Sequence, residues 1–284
     1  MNFLSKTIKR ISDVRSYQRL VSPASRDLEI SMAHIINKIV RQNISTCYLH
    51  QRTFLPFKGI HTGEDLAIFA TGPSSKRHDV IKDCKYIGVN QAYLRKDIEF
   101  SYYFVHDNGI SDIKKYGFNM LKEINAYRKD KCVKFYGLLD DSFLDLENGS
   151  WSNADFEIPE SDAIEADALR YRLDRVLLHE HDLGCSFTYD LSTQPLGDFG
   201  SVVFPAAQFA LWTNPKTLYL IGCDCSSGGH FYETEKTERD TSAYDFMIRP
   251  WKLFKKFAQL YYPETKIISI NPVGLRGIFE DYDC

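Results

Sequence analysis

The spacing of apolar positions along this chain changes near residue 65. Within residues 1–45 apolar side chains recur every three or four positions, which predicts two helices separated near Ser22-Pro23. From residue 65 onward, short apolar runs alternate with segments of helical spacing. The runs predict strands at residues 66–70, 85–89, 100–105, 132–136, 217–221 and 266–270. Helices are predicted at residues 112–127, 201–212 and 241–262.

Strands that alternate with helices indicate an α/β fold, with a mostly parallel sheet and helices on both faces. We therefore predict a body over residues 61–284, preceded by an N-terminal helical arm over residues 1–60. Residues 140–197 are acidic and irregular, and they predict a long surface excursion that could cover a site.

Charge separates the arm from the body. Over 284 residues the net charge is −3, which argues against a polycation that binds nucleic acid. Residues 1–60 carry ten basic and three acidic residues, so the rest of the chain is strongly acidic. The arm could pack on the body or on a second copy of the chain in a homo-oligomer. Alternatively, its basic face could make a peripheral contact with anionic lipid.

The seven cysteines form neither a disulfide framework nor a pair of zinc-spaced couples. Reduced thiols of a cytoplasmic protein are the simplest interpretation. The N-terminus lacks the continuous apolar stretch of a secretory signal, and eighteen uncharged apolar residues never run together. We expect a cytoplasmic protein, with the inner membrane surface as a further possible location.

Polar residues follow five of the six predicted strands. The clusters are Thr71-Gly72-Pro73-Ser74, Asn90-Gln91, His106-Asp107, residues 222–230 and residues 271–277. Because the carboxyl ends of parallel strands share one edge of a sheet, we expect these clusters to border a single cleft.

Each cluster has a structural and a chemical interpretation. The loop at Gly72 and Ser74 could be a plain turn, or a glycine-opened cradle for a phosphate. Asn90 and Gln91 could form a turn or read the edge of a base or ribose. Gly200-Ser201 precedes a predicted helix, with Ser201 as its N-cap, and offers a second place for a phosphate.

Four segments in order, ATGPSS, VNQAY, GSVVFPAAQFAL and KTLYLIGCDCSSGGHFY, resemble the bacterial family-42 sialyltransferases and related CMP-sugar glycosyltransferases. The resemblance spans about residues 65–275. It implies a glycosyltransferase-A-like variant of the Rossmann-like fold. It also implies transfer of an acid sugar, of the sialic acid or Kdo type, from a CMP-linked donor to a glycan or glycolipid acceptor during synthesis of capsule or lipopolysaccharide. No metal or other cofactor is implied.

The resemblance also implies roles for particular residues. The residues implied for nucleotide binding are Thr71, Gly72, Pro73, Ser74, Asn90, Gln91, Gly200, Ser201 and Asp224. Two departures stand out. The arginine of the family near residues 197–198 and its histidine near residues 247–249 have no counterpart in this chain.

The catalytic base must therefore come from another position. Three candidates are open: His230 in a glycine-rich loop, Asp224, and His106 with Asp107. Asn271 and Arg276 are candidates for contact with the donor or acceptor. We expect a direct displacement in which the acceptor hydroxyl attacks the anomeric carbon and CMP leaves.

Two other functions are compatible with the same residues. The architecture is also similar to that of 6-hydroxymethylpterin diphosphokinase-like proteins, whose nucleotide-dependent pyrophosphoryl transfer would require Mg²⁺ and clustered carboxylates. A non-catalytic nucleotide-binding protein is the third interpretation, which is favoured if the missing arginine and histidine reflect a loss of activity.

Overall fold

A computed structural model describes residues 46–105, 120–138, 142–145, 150–153, 169–174, 187–197, 199–233 and 242–284. Residues 46–284 belong to one compact unit. The two predicted N-terminal helices, His106, Asp107 and most of the acidic excursion lie outside the described residues.

The centre of the fold is a nine-stranded sheet in which every neighbouring pair of strands is parallel. A separate antiparallel pair is formed by β5 and β6. The strands in chain order are β1 (Asp65–Phe69), β2 (Lys85–Val89), β3 (Phe100–Val105), β4 (Val133–Leu138), β5 (Ser142–Asp145), β6 (Ser150–Asn153), β7 (Leu169–Asp174), β8 (Leu196–Gly197), β9 (Thr217–Ile221), β10 (Lys266–Ile270) and β11 (Glu280–Tyr282). The order across the large sheet is β11-β10-β9-β1-β2-β3-β4-β7-β8.

Both faces of the sheet are buried, as a parallel sheet requires. Along β1, Leu66 and Ile68 belong to one apolar cluster, whereas Ala67 and Phe69 belong to a second. Successive side chains of a strand point to opposite faces, so the two clusters lie on the two sides of the sheet. This explains why the sequence shows continuous apolar runs there.

Helices cover both faces and confirm the predicted α/β fold. They are α1 (residues 46–54), α2 (Met120–Ala126), α3 (Val203–Trp212) and α4 (Ser242–Tyr261). Phe54, Phe209 and Phe254 place α1, α3 and α4 in the first cluster, and Ile124 places α2 in the second.

The stretch around α1 belongs to the body by its contacts, although the sequence analysis assigned it to the arm. Phe54 is fully buried and stacks on Phe135 of β4, with ring centroids 5.7 Å apart. His50 is also fully buried, where the Leu191 carbonyl lies 2.9 Å from Nδ1 and the Arg172 amide donates to Nε2 over 2.8 Å. These contacts join α1 to β7 and to the segment before β8.

Helix α3 begins at Val203, two residues later than predicted, and Ser201 is not its N-cap. The N-cap residue is Val202, and no side chain caps the helix. The cause lies in the preceding turn, where Phe199 and Gly200 both have positive φ angles of 44° and 76°. Within the described residues, no helix is both long and apolar enough to cross a membrane.

Candidate functional site

A pocket opens where the direction of strand progression in the sheet reverses. From β1 the chain adds strands through β2 toward β8 on one side, and then returns with β9 on the other side of β1. Parallel sheets bind ligands outside the carboxyl ends of strands at such a switch point. The pocket has a volume of about 150 Å³ and lies between the loops that follow β1 and β9. Six predicted site residues line it: Thr71, Gly72, Asn90, Ser201, Asp224 and His230.

The two loops are joined by a continuation of the β1–β9 ladder. The Ala70 amide donates to the Ile221 carbonyl over 2.8 Å, and the Gly72 amide donates to the Gly222 carbonyl over 2.9 Å. A Cβ atom on Gly72 would lie 2.4 Å from the Gly222 oxygen and 2.6 Å from an Asp224 carboxylate oxygen. Glycine at position 72 is therefore explained by the close approach of the two loops.

Several amides of the loop after β1 are already bonded within the protein. Besides Gly72, the Ser74 amide donates to Asp224 over 2.8 Å, and the Ser75 amide donates to the Gly72 carbonyl over 3.1 Å. Pro73 has no amide hydrogen, and it opens a single 3₁₀ turn, Pro73–Arg77. A phosphate at this loop would consequently meet the Thr71 side chain rather than a cradle of these amides.

Asp224 is the buried carboxylate of the pocket. It is 5% exposed, and Ser74 donates to it twice, through the amide and through the hydroxyl. Burial raises the pKa of Asp224, and the two hydrogen bonds from Ser74 oppose that rise. Each carboxylate oxygen accepts one bond from Ser74 and has a further lone pair for a ligand donor.

The loop after β9 is also fixed by glycine. Gly222 has a φ of +66°, and a Cβ there would lie 2.4 Å from the Ala70 carbonyl oxygen. The Gly274 amide donates to the Asp224 carbonyl over 2.7 Å, so the loop after β10 supports the loop that carries the carboxylate.

His230 reaches the pocket from the end of the same loop. Its Nδ1 lies 3.0 Å from the hydroxyl oxygen of Thr71, and its ring stacks on Tyr232 with centroids 5.1 Å apart. The His230 amide donates to the Glu233 carboxylate over 2.8 Å, and the Phe231 amide donates to the Thr71 carbonyl over 2.8 Å. The imidazole is therefore held against the β1 loop by backbone and side-chain contacts.

Asn90 lines the pocket, whereas Gln91 is not among the lining residues. Asn90 has a φ of +49°, a left-handed conformation that asparagine tolerates better than most residues. Its carbonyl accepts the Tyr103 hydroxyl over 2.6 Å, and the same hydroxyl accepts the Tyr93 amide over 2.9 Å. These bonds fix the turn after β2.

Ser201 enters the pocket from the turn before α3, in which Phe199 and Gly200 have positive φ angles. The turn is positioned by Gln208, a buried amide of α3. Its Oε1 accepts the amides of Thr188 and Gly197 over 2.9 and 3.3 Å, and its Nε2 donates to the Gly197 carbonyl over 2.7 Å.

Asn271 and Arg276 are not among the pocket-lining residues. Arg276 forms an exposed two-pronged pair with Asp283, with N···O distances of 3.0 and 2.9 Å. Asn271 exchanges bonds with Cys284, donating to its Sγ and accepting from its amide over 2.9 Å. Both side chains connect the loop after β10 to the C-terminal residues.

The sequence analysis did not identify two pocket residues on α4, Met247 and Trp251. A signal was present, because the resemblance noted in the sequence analysis implied a functional residue near residues 247–249. Cys225 also lines the pocket; burial raises the pKa of its thiol to about 12, so the thiol is uncharged near neutral pH.

The described lining contains no lysine or arginine. Nor does any group of three or more His, Cys, Asp or Glu residues in the described parts of the chain have the arrangement of a metal site. The site thus combines one buried carboxylate, one imidazole and several neutral hydrogen-bonding groups. This arrangement can accept hydrogen bonds from a sugar or base and can take up a proton.

Comparisons with known proteins add architectural neighbours only. No protein-family model and no curated protein matches the sequence. The MAf glycosyltransferase from Magnetospirillum magneticum is 14% identical, with a TM-score of 0.44, and the match covers 84% of this chain and 38% of that protein. The sialyltransferase CST-II, solved with a trisaccharide acceptor and CMP, is 15% identical, with a TM-score of 0.40 and coverage of 72% and 80%. This chain therefore spans less than half of the first protein, and similarities at this level do not determine function.

Proposed function

We propose that this chain is a glycosyltransferase that moves an acid sugar of the sialic acid or Kdo type from a CMP-linked donor to a glycan or glycolipid. The observation that carries the proposal is the pocket at the switch point between β1 and β9, where Asp224 and the Thr71–His230 pair face one cavity. The order of sequence motifs that resemble CMP-sugar glycosyltransferases supports the choice of donor.

In this proposal Asp224 is a nucleotide contact. A buried carboxylate that retains lone pairs is suited to accept hydrogen bonds from ribose hydroxyls or from the exocyclic amino group of cytosine. Asn90 and Ser201 supply further neutral donors and acceptors in the pocket lining. Hydrogen-bond donors of this kind can stabilise the negative charge that develops on the phosphate as CMP leaves.

His230 is the proposed base. When Nδ1–H donates to the Thr71 hydroxyl, Nε2 carries the lone pair that a base requires. The acceptor hydroxyl then attacks the anomeric carbon, the bond from that carbon to the phosphate oxygen breaks, and CMP leaves with the electron pair. The hydroxyl proton passes to Nε2 of His230.

Ligand binding provides the first test. The full chain is heated with CMP, CDP, ATP or GTP, each with and without Mg²⁺. We expect CMP alone to stabilise the protein, by about 2.7 kcal/mol at a concentration one hundred times Kd, or a Tm rise of about 5–10 °C. A response to Mg-ATP and none to CMP would contradict the proposal and favour pyrophosphoryl transfer.

Turnover provides the second test, with release of CMP from CMP-sialic acid and CMP-Kdo as the signal. His230→Ala is expected to bind CMP as the original chain does and to lose turnover by about 10²–10⁴-fold, the usual contribution of a positioned base. Thr71→Val should shift the pH dependence of turnover because it removes the partner of Nδ1, whereas Thr71→Ser keeps the hydroxyl and serves as the matched control. Unchanged turnover in His230→Ala would exclude the imidazole as the base.

A further inference from the structure

One face of α4 combines exposed basic and large apolar side chains. Arg249, Lys252, Leu253, Lys256 and Leu260, here called the outer face of α4, are all exposed. Their spacing of three or four residues places them in one stripe along the helix. Trp251, Phe254 and Phe257 lie on the opposite, buried side.

The two leucines of the outer face are exposed to solvent. Leu260 is 70% exposed and Leu253 is 41% exposed. At the end of the helix, Tyr261 is 46% exposed and its ring lies 4.8 Å from that of Tyr189, which is 53% exposed. A patch of exposed apolar and aromatic side chains is a feature of interaction surfaces.

The charge of α4 is mostly basic, with Asp245 as the one acidic residue in its sequence. Residues 247–263 include four basic residues and no acidic residue. One of the four, Lys255, is turned toward the body, where its ammonium donates to the Ile278 carbonyl. Asp190, beside the aromatic pair, accepts bonds from the amide and hydroxyl of Ser192. The other three basic residues belong to the outer face.

We propose that the outer face of α4 docks on a bilayer that contains anionic phospholipid. A helix with lysines beside leucines lies in the plane of a membrane interface, with the leucines at the acyl boundary and the ammonium groups among the headgroups. Tyr189 and Tyr261 are of the type enriched at that depth. A protein partner would need acidic side chains to match the stripe, whereas an anionic bilayer supplies both the charge and the apolar phase.

This docking surface leaves the pocket open. Met247 and Trp251 line the pocket from the same helix, and Trp251 belongs to the side opposite the outer face. The bilayer contact therefore does not require the pocket-lining side chains. The proposal concerns α4 and is independent of the predicted lipid contact of residues 1–60 and of the sugar donor.

Vesicle binding of the full chain tests the proposal. The chain is sedimented with vesicles of phosphatidylcholine and phosphatidylserine, and with vesicles of phosphatidylcholine alone. We expect binding to the anionic vesicles only, weakened by salt. Each basic residue near such a surface contributes about a fivefold gain, so Lys252→Gln with Lys256→Gln should weaken binding about thirtyfold.

Two further variants keep the result interpretable. Lys82→Gln with Lys131→Gln makes the same change in net charge at exposed positions before β2 and β4, and it should leave binding unchanged within about twofold. Leu253→Ser with Leu260→Ser keeps the charge and should weaken the part of the binding that persists at high salt. Equal binding by the α4 variants and the original chain would overturn the proposal. So would a self-associated chain that dissociates when Leu260 is changed, because the outer face would then be a contact between copies.

Discussion

The role of Gly72 can be tested by adding a single carbon atom. Gly72→Ala is compatible with the backbone, because Gly72 has a φ of −61° and a ψ of 152°, values that alanine adopts freely. The obstacle is steric, since the new Cβ would lie 2.4 Å from the Gly222 oxygen and 2.5 Å from the carboxyl carbon of Asp224. The substitution therefore measures how tightly the loops after β1 and β9 are packed.

The expected cost follows from the rigidity of those neighbours. The Gly222 oxygen accepts the Gly72 amide at 2.9 Å, so the two backbones can separate only by weakening that bond. Overpacking by one carbon usually costs 1–3 kcal/mol, and we expect about 3 kcal/mol here. For a body of this size, the corresponding fall in Tm is about 6–12 °C.

Two other glycines provide matched controls in the same site. A Cβ on Gly200 would have no atom within 4 Å. The only cost of Gly200→Ala is therefore that of placing alanine at the left-handed φ of +76°, about 1 kcal/mol. Gly222→Ala combines a φ of +66° with a 2.4 Å approach to Ala70, and we expect about 4 kcal/mol or more. In thermal and urea unfolding, the loss of stability should increase in the order Gly200→Ala, Gly72→Ala, Gly222→Ala. A loss for Gly72→Ala no larger than that for Gly200→Ala would refute the close packing of the loops.

Three other substitutions test single interactions. Asp224→Asn leaves one acceptor oxygen for the two donors of Ser74, so urea unfolding should show a loss of stability of about 1–3 kcal/mol. An unchanged unfolding midpoint would contradict the two hydrogen bonds from Ser74 to Asp224. Burial, the largest cause, lowers the pKa of His50 to about 4, below the value of about 6.5 in an unfolded chain. As pH falls below about 6.5 the unfolded chain binds that proton first, so stability should decrease by about 3 kcal/mol between pH 7 and pH 4. His50→Gln should flatten this pH dependence in unfolding curves measured at several pH values. A pH dependence of stability equal to that of the original chain would argue against His50 as its source. Gln208→Leu removes the acceptor of two buried amides, and a loss of about 3 kcal/mol in thermal unfolding is expected; a loss below about 1 kcal/mol would show that the segment before α3 relaxes.

The α/β fold could be predicted from the sequence because its central strands are buried on both faces. The run at residues 217–221 is apolar enough to identify β9 without knowledge of its neighbours. In contrast, β8 has two residues and β11 is an exposed strand of sequence Glu-Asp-Tyr, so neither has a periodicity that a sequence can show. Such edge strands form by hydrogen bonding to a neighbouring strand, and their own side-chain pattern does not define them.

Parts of the site could be predicted because residues at the ends of parallel strands must share one edge. Thr71, Asn90, Asp224 and His230 were selected on that ground and line one pocket. The roles assigned to neighbouring backbone groups could not be foreseen. Whether the loop after β1 offers free amides depends on Gly222 and Asp224, which lie about 150 residues away in the chain.

By itself, the sequence of this protein determined most of the buried strands and which polar residues follow them. Local apolar spacing and the geometry of parallel strands are sufficient for that. The prediction from sequence missed β7, whose Tyr171 and Leu173 are buried although residues 140–197 were predicted to form a surface excursion. Only the tertiary structure decided that Arg276 pairs with Asp283 at the surface, that Trp251 of α4 contributes to the pocket, and that Gly72 is required by the loop after β9. Each of these results depends on contacts between residues distant in the chain, and the spacing of residues within one segment carries no information about them.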